Sequence, residues 1–135
     1  MKVPFQFIVV DDDPINNMVS QYMIAHVAPT ASIQLFNNPE EALASIRDEY
    51  SKQAAFAKTI LFLDINMPTM SGWEFLDALS SFPQELVSSF LIFMLSSSID
   101  PKDTQSAESH PLVQGYFSKP LNRETLREFL EGEES

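Results

Sequence analysis

The run Thr59-Ile60-Leu61-Phe62-Leu63 is apolar at every position after the threonine and stops on Asp64, with a turn following at Asn66-Met67-Pro68. Alternation would mark a strand with one wet face, whereas unbroken apolarity over so short a run marks a strand buried on both faces. Such a strand needs helices packed above and below its sheet, which narrows the fold to the α/β class. Three further runs end on polar groups in the same way. Phe7–Val10 ends on Asp11-Asp12-Asp13, Phe90–Leu95 on Ser96-Ser97-Ser98, and Tyr116-Phe117 lies just ahead of Lys119. In an open parallel sheet ligands bind beyond the carboxyl ends of the strands, so these tips are expected to meet at one site.

The segments between the strands carry helix signals. Asp13 stands as an N-cap before Pro14, and Ile15, Met18, Val19, Tyr22 and His26 form one stripe, expected to face the core, until Pro29 ends the helix. Ala31–Phe36 alternates polar with apolar and reads as an edge strand. Asn38-Pro39-Glu40-Glu41 opens a second helix that turns Ala42, Leu43, Ile46 and Tyr50 inward. Ser71 with Glu74 makes a capping box for a third helix, whose core residues are Phe75, Leu76 and Leu79. A weak helical turn follows Pro83 over Gln84–Ser88. Asp100-Pro101 starts a fourth helix, but Lys102–Ser109 has little apolar periodicity beyond Ala107, so this helix is expected to be short and loosely held. His110-Pro111 ends it, Val113–Phe117 makes a short fifth strand, and Asn122 caps a last helix with Leu126, Phe129 and Leu130 inward.

Strand and helix alternate five times, which implies a doubly wound parallel sheet of five strands. Strands one, three and four are continuously apolar, while strand two alternates and strand five is short. The last two suit the edges, giving the order 2-1-3-4-5. At 135 residues the chain has room for one domain, residues 1–135, with a core over about 4–131 and an acidic, solvated tail at 131–135. The absence of cysteine excludes disulfides, thiolate metal sites and thiol nucleophiles. No apolar run approaches the length of a membrane span, and Met1-Lys2-Val3-Pro4 leads into a strand rather than a leader, so a cytoplasmic location is expected. With 19 acidic against 8 basic residues, net charge −11, binding to nucleic acid through a basic face is disfavoured.

Asp11, Asp12, Asp64, Ser96 and Lys119 would gather at one end of this sheet. Clustered carboxylates repel one another unless a cation is shared, and hard oxygen ligands without His or Cys suit Mg²⁺ completed by phosphate oxygens. A lysine and a hydroxyl aimed at the same point supply donors for a transferring phosphoryl group. Strand three puts Asp64 deepest, as the group to be phosphorylated. Asp11 and Asp12 approach the metal from the side, and the loop lets the Asn66 carbonyl reach the same ion.

The strings Val9-Val10-Asp11-Asp12-Asp13, Leu63-Asp64-Ile65-Asn66-Met67-Pro68-x-Met70-Ser71-Gly72, Met94-Leu95-Ser96 and Gly115-Tyr116-Phe117-Ser118-Lys119-Pro120 resemble, in order and spacing, the four signatures of the response-regulator receiver domain of two-component signalling. The resemblance covers nearly the whole chain and implies a flavodoxin-like fold. It makes Asp64 the phosphoacceptor for a phosphohistidine on a sensor histidine kinase or histidine phosphotransfer protein. Asp12 becomes a direct Mg²⁺ ligand, Asp11 its water-mediated partner, and Asn66 the carbonyl that completes the metal shell. Ser96 matches the switch hydroxyl, Lys119 the lysine that pairs with the phosphoryl group, and Tyr116 the aromatic that rotates inward on activation. The bond before Pro120 is usually cis in this family. Output is implied through the face built by the fourth predicted helix, strand five and the last helix, toward a protein target rather than DNA. The implied role is a phosphoacceptor signalling domain, not an enzyme, and a phosphorylation-dependent homodimer is left open.

The chain departs from the family pattern at the switch position, where Ser replaces the commoner Thr within a run of three serines, so a register one residue later also fits. Asn66 and Ser98 occupy the variable positions that tune dephosphorylation. The resemblance is to a stand-alone receiver, with no effector domain expected after the last helix. Two rival readings stand beside this one. An aspartate-nucleophile phosphatase of the haloacid-dehalogenase type would use Asp11 of Asp11-x-Asp13, but it needs an acidic pair after the lysine where the chain has Leu121-Asn122-Arg123. A pseudo-receiver acting as a constitutive interaction module would lack an essential group, and none is missing.

Overall fold

The computed structural model describes residues 6–52, 58–97 and 100–134, without the side chains of Tyr50, Phe129 and residues 131–134. Ser98 and the side chains of Tyr50, Phe129 and the acidic tail therefore lie outside the described residues. The elements run β1 (Gln6–Val10), α1 (Pro14–Val27), β2 (Ser32–Phe36), α2 (Pro39–Lys52), β3 (Thr59–Asp64), α3 (Gly72–Ser80), α4 (Gln84–Val87), β4 (Phe90–Ser96), α5 (Pro101–Ser109), β5 (Val113–Ser118) and α6 (Arg123–Glu134). The five strands form one parallel sheet in the order β2-β1-β3-β4-β5, as expected.

Burial follows the sequence logic. Every residue of β3 is buried, while β2 and β5 at the edges are partly exposed. Because side chains alternate across a strand, the central strands feed two separate cores. Ile8, Val10, Leu61, Leu63, Ile92 and Met94 pack on one face with Leu43 and Ile46 of α2 and Phe75, Leu76 and Leu79 of α3. Phe7, Val9, Ile60, Phe62, Phe93 and Leu95 pack on the other with Ile24 of α1 and Leu126 and Leu130 of α6. Rings extend this second core, Phe93 stacking on Phe117 with centroids 5.3 Å apart.

The helix starts are held as the sequence implies. Asp13 accepts from the Ile15 amide at 2.9 Å, and Asn38 from the Glu40 amide at 2.8 Å. The Ser71 hydroxyl accepts from the Glu74 amide at 3.1 Å while the Glu74 carboxylate accepts from the Ser71 amide at 2.9 Å, completing the capping box. Asp100 and Asn122 cap α5 and α6. In α5 the buried side chain among the described residues is Ala107, in keeping with its weak apolar pattern. The last helix runs on to Glu134, through most of the segment read from the sequence as a tail.

The expected inward face of α1 is wrong. Ile15, Met18 and Tyr22 are 68%, 66% and 64% exposed, and the residues turned to the sheet are Asn17, Ser20 and Ile24. Helical spacing identifies a stripe without saying which way it faces. Asn17 is drawn inward because α1 starts over the ends of β1 and β2, where its amide donates to the Asp11 and Phe36 carbonyls. His26, the last member of the stripe, is exposed and lies 2.9 Å from the Arg123 guanidinium of α6. Across the sheet, Trp73 at the start of α3 stacks on His110, which follows α5, with ring centroids 6.2 Å apart.

Candidate functional site

Asp64 is the last residue of β3 and Ser96 the last of β4, Asp11 directly follows β1, and Lys119 directly follows β5. The parallel topology brings all four to the carboxyl edge of the sheet. Asp11, Asp64 and Ser96 are 0%, 3% and 1% exposed, while Asp12 on the loop after β1 is open to solvent. Burial of three polar side chains in one place is costly unless each is paired.

Lys119 supplies the pairing for the two carboxylates. Its ammonium lies 2.8 Å from Asp11 Oδ2 and 3.2 Å from Asp64 Oδ1. The Lys119 amide donates to the Ser96 carbonyl at 2.8 Å, which ties the tip of β5 to the tip of β4. The Lys119-Pro120 bond is cis, as the resemblance implied. Asp11 is pinned on its other oxygen too, where Oδ1 accepts from the Asp13 amide at 2.9 Å. Asp64 Oδ1 also faces the Asn66 amide at 3.3 Å. Asp11, Asp12 and Asp64 each offer a carboxylate oxygen, all within 4.8 Å of one another.

One cation among three carboxylates does not balance the site. Burial, and next the charge of Asp11, push the Asp64 carboxyl up to about 7, against the opposing pull of Lys119. For Lys119, burial pulls the ammonium down, but its hydrogen bond and charge contacts with Asp11 and Asp64 prevail and raise it. The set is therefore electron-rich, composed of hard oxygens, and short of positive charge, which fits a small divalent cation such as Mg²⁺.

Two residues that the sequence reading did not single out support the site. A Cβ placed on Gly72 would lie 2.6 Å from the Asp64 carbonyl and 2.9 Å from the Met94 side chain, so only glycine lets α3 start this close to the end of β3. Asn17, buried on α1, donates to the Asp11 carbonyl at 3.0 Å. Tyr116 sits half-buried on β5 against the core beneath α5 and lines a groove of about 970 Å³ between α5 and α6.

The family model for the response regulator receiver domain matches residues 7–131. This chain belongs to the response-regulator receiver family. Receiver structures align over nearly its full length. A two-component response regulator from Cytophaga hutchinsonii is 28% identical with a TM-score of 0.86, covering 97% of each chain. A response regulator receiver protein from Dyadobacter fermentans is 29% identical with a TM-score of 0.84, covering 95% of this chain and 96% of that one. The chemotaxis protein CheY4 of Vibrio cholerae is 28% identical with a TM-score of 0.71, over 96% and 98%. A search of curated proteins finds no match. The fold of this receiver domain is thus CheY-like, and no helix among its described residues is long and apolar enough to cross a membrane.

Proposed function

We propose that this receiver domain accepts a phosphoryl group from a phosphohistidine onto Asp64 with Mg²⁺ bound, and signals by protein contact through the face formed by α5, β5 and α6. The observation that carries this reading is the placement of Asp64, a buried carboxylate at the centre of the sheet's carboxyl edge, within reach of the Lys119 ammonium and beside Asp11 and Asp12. In the transfer, an Asp64 carboxylate oxygen forms a bond to phosphorus as the imidazole N–P bond breaks, and the imidazole, already protonated on its other nitrogen, keeps the bonding pair and leaves neutral. Lys119 holds phosphoryl oxygens that develop charge. The Ser96 hydroxyl is the donor on the β4 side, and Tyr116 turns inward to relay the change to α5.

Asp12 and Asp64 would hold the metal directly, Asp11 through water, and Asn66 through its carbonyl. When bound, Mg²⁺ supplies the positive charge that clustered carboxylates and a phosphoryl group together require. The domain is a phosphoacceptor rather than an enzyme acting on a separate substrate. Attack by Asp11, as in an aspartate-nucleophile phosphatase, is disfavoured because Asp11 spends one oxygen on the Asp13 amide and the other on Lys119. A constitutive module without phosphorylation is disfavoured by the completeness of the set.

The donor is read as a sensor histidine kinase or histidine phosphotransfer protein. The exposed stripe of Ile15, Met18 and Tyr22 begins on the loop-helix junction that carries Asp12 and Asp13, so a protein placing its histidine at Asp64 finds apolar surface beside the site.

Intact mass after incubation with a small acyl phosphate and Mg²⁺ tests the reading. The wild type gains one phosphate, chelator prevents the gain, and Asp64→Asn does not acquire it. Labelling that survives in Asp64→Asn and disappears in Asp11→Asn would place the nucleophile on β1 and overturn the proposal.

A further inference from the structure

Asn17 is 5% exposed on the inward face of α1, in a position that the adjoining Ile24 shows to be compatible with packing against the sheet. Its amide nitrogen donates to two backbone carbonyls, Asp11 at 3.0 Å and Phe36 at 3.3 Å. Its own carbonyl oxygen is buried with no hydrogen-bond partner among the described residues. Leaving that acceptor unpaired costs free energy that an apolar side chain of the same size would avoid. An amide retained on those terms is useful for its two donors.

What the donors hold is the turn into the acidic loop. β1 and β2 pair in register through Val10 and Phe36, and the Asp11 amide adds one more bond to the Phe36 carbonyl at 3.0 Å. The ladder then ends, because the chain leaves the sheet to form the loop of Asp12 and Asp13. The Asp11 carbonyl points into protein at that departure, and Asn17 satisfies it. The side chain thus stands in for the next rung of the ladder. It fixes the plane of the peptide between Asp11 and Asp12, and that plane sets the direction in which Asp12 leaves the strand. Asp11 is then constrained at every polar group: its amide by Phe36, its carbonyl by Asn17, and its carboxylate by the Asp13 amide and Lys119.

We propose that Asn17 is a positioning residue of the metal site: by bridging the Asp11 and Phe36 carbonyls with one amide, it preorganises Asp11 and Asp12 for a divalent cation it never touches. The inference rests on the reading of this site as a Mg²⁺-dependent phosphoacceptor and adds to it the device that holds the site in shape before the metal arrives. Residues that orient metal ligands from behind typically change affinity by about 10- to 100-fold when removed. The loss belongs to binding more than to chemistry, since a saturating cation itself draws the carboxylates together.

The test titrates Mg²⁺ alone into the wild type, Asn17→Leu, Asn17→Ser and Ser20→Ala by calorimetry, with circular dichroism confirming the fold. Labelling rates with a small acyl phosphate are then measured at low and at saturating Mg²⁺. Asn17→Leu matches the side chain in size without its donors, Asn17→Ser serves if the leucine variant does not fold, and Ser20→Ala perturbs the same buried face away from the carbonyls. The expected result is a Mg²⁺ dissociation constant raised about tenfold or more in the Asn17 variants, a labelling rate reduced at low Mg²⁺ and restored at saturation, and Ser20→Ala like the wild type. Unchanged affinity in the Asn17 variants overturns the inference alone, as does an equal loss in Ser20→Ala, which would indicate general loosening of α1. A wild type that binds no Mg²⁺ overturns the reading of the site itself, and this inference with it.

Discussion

The α carbon of Gly72 is pressed so closely against β3 that a methyl group there would meet the Asp64 carbonyl oxygen at 2.6 Å. The Gly72 amide also donates to the Ile65 carbonyl at 2.8 Å, locking the start of α3 to the residue after Asp64. The obstacle is backbone, which cannot swing aside as a side-chain tip can. Gly72→Ala is expected to destabilise the domain by about 1–3 kcal/mol, the usual cost of overpacking, and to slow labelling of Asp64 because its strand end is displaced. Urea denaturation and intact mass check the two effects separately.

Lys119 brings its ammonium to two buried carboxylates at once. Lys119→Met leaves them facing each other uncompensated, so the metal-free protein is expected to melt at a lower temperature at neutral pH, with part of the loss recovered on adding Mg²⁺. The labelling rate at saturating donor and Mg²⁺ is expected to fall on the order of 10²-fold, as for loss of one charge-stabilising donor. A variant that labels like the wild type would show that the lysine serves stability alone.

The raised Asp64 carboxyl gives a pH dependence of defined sign. In the unfolded chain an aspartate releases its proton near about pH 4, whereas in the folded, metal-free protein Asp64 keeps it up to about 7. Between those values the folded state binds one more proton than the unfolded state, so this group's contribution to stability falls as pH rises. Denaturation midpoints measured in chelator should therefore decline from about pH 5 to about pH 7.5 more steeply in the wild type than in Asp64→Asn. Parallel curves for the two proteins would contradict the assignment.

Substituting Ile15→Ser, Met18→Gln and Tyr22→Ser together removes apolar surface that is 68%, 66% and 64% exposed. Stability should stay within about 0.5 kcal/mol per site, and labelling by a small acyl phosphate should be unchanged. Transfer from a phosphorylated protein donor should slow by about tenfold or more if the stripe is its contact surface. Stopped-flow transfer assays against the small donor separate the two.

Most of the architecture was legible because burial leaves a periodic trace. β3 reads as apolar throughout and proves buried throughout, while the alternation of Ser32–Phe36 correctly marked an edge. The tips converged as expected because a parallel sheet puts every carboxyl end on one side. The orientation of α1 was not legible. Ile15, Met18 and Tyr22 share a face, but so do Asn17, Ser20 and Ile24, and periodicity ranks them by hydrophobicity alone. What decided the matter is two backbone carbonyls at the end of β1 and β2, which no local pattern in the sequence displays. Gly72 was visible only as part of a motif, since its need for close approach comes from the Asp64 carbonyl and the Met94 side chain, which come against it only once the chain has folded.

Trp73 is the chain's one tryptophan, and it rests on the His110 ring at the far end of α5. Its indole therefore emits from the seam between α3, the helix that follows the Asp64 loop, and α5, the helix of the proposed output face. Any displacement of α5 alters that ring stack, so its fluorescence gauges the helix from inside the unlabelled protein, on the timescale of phosphorylation itself.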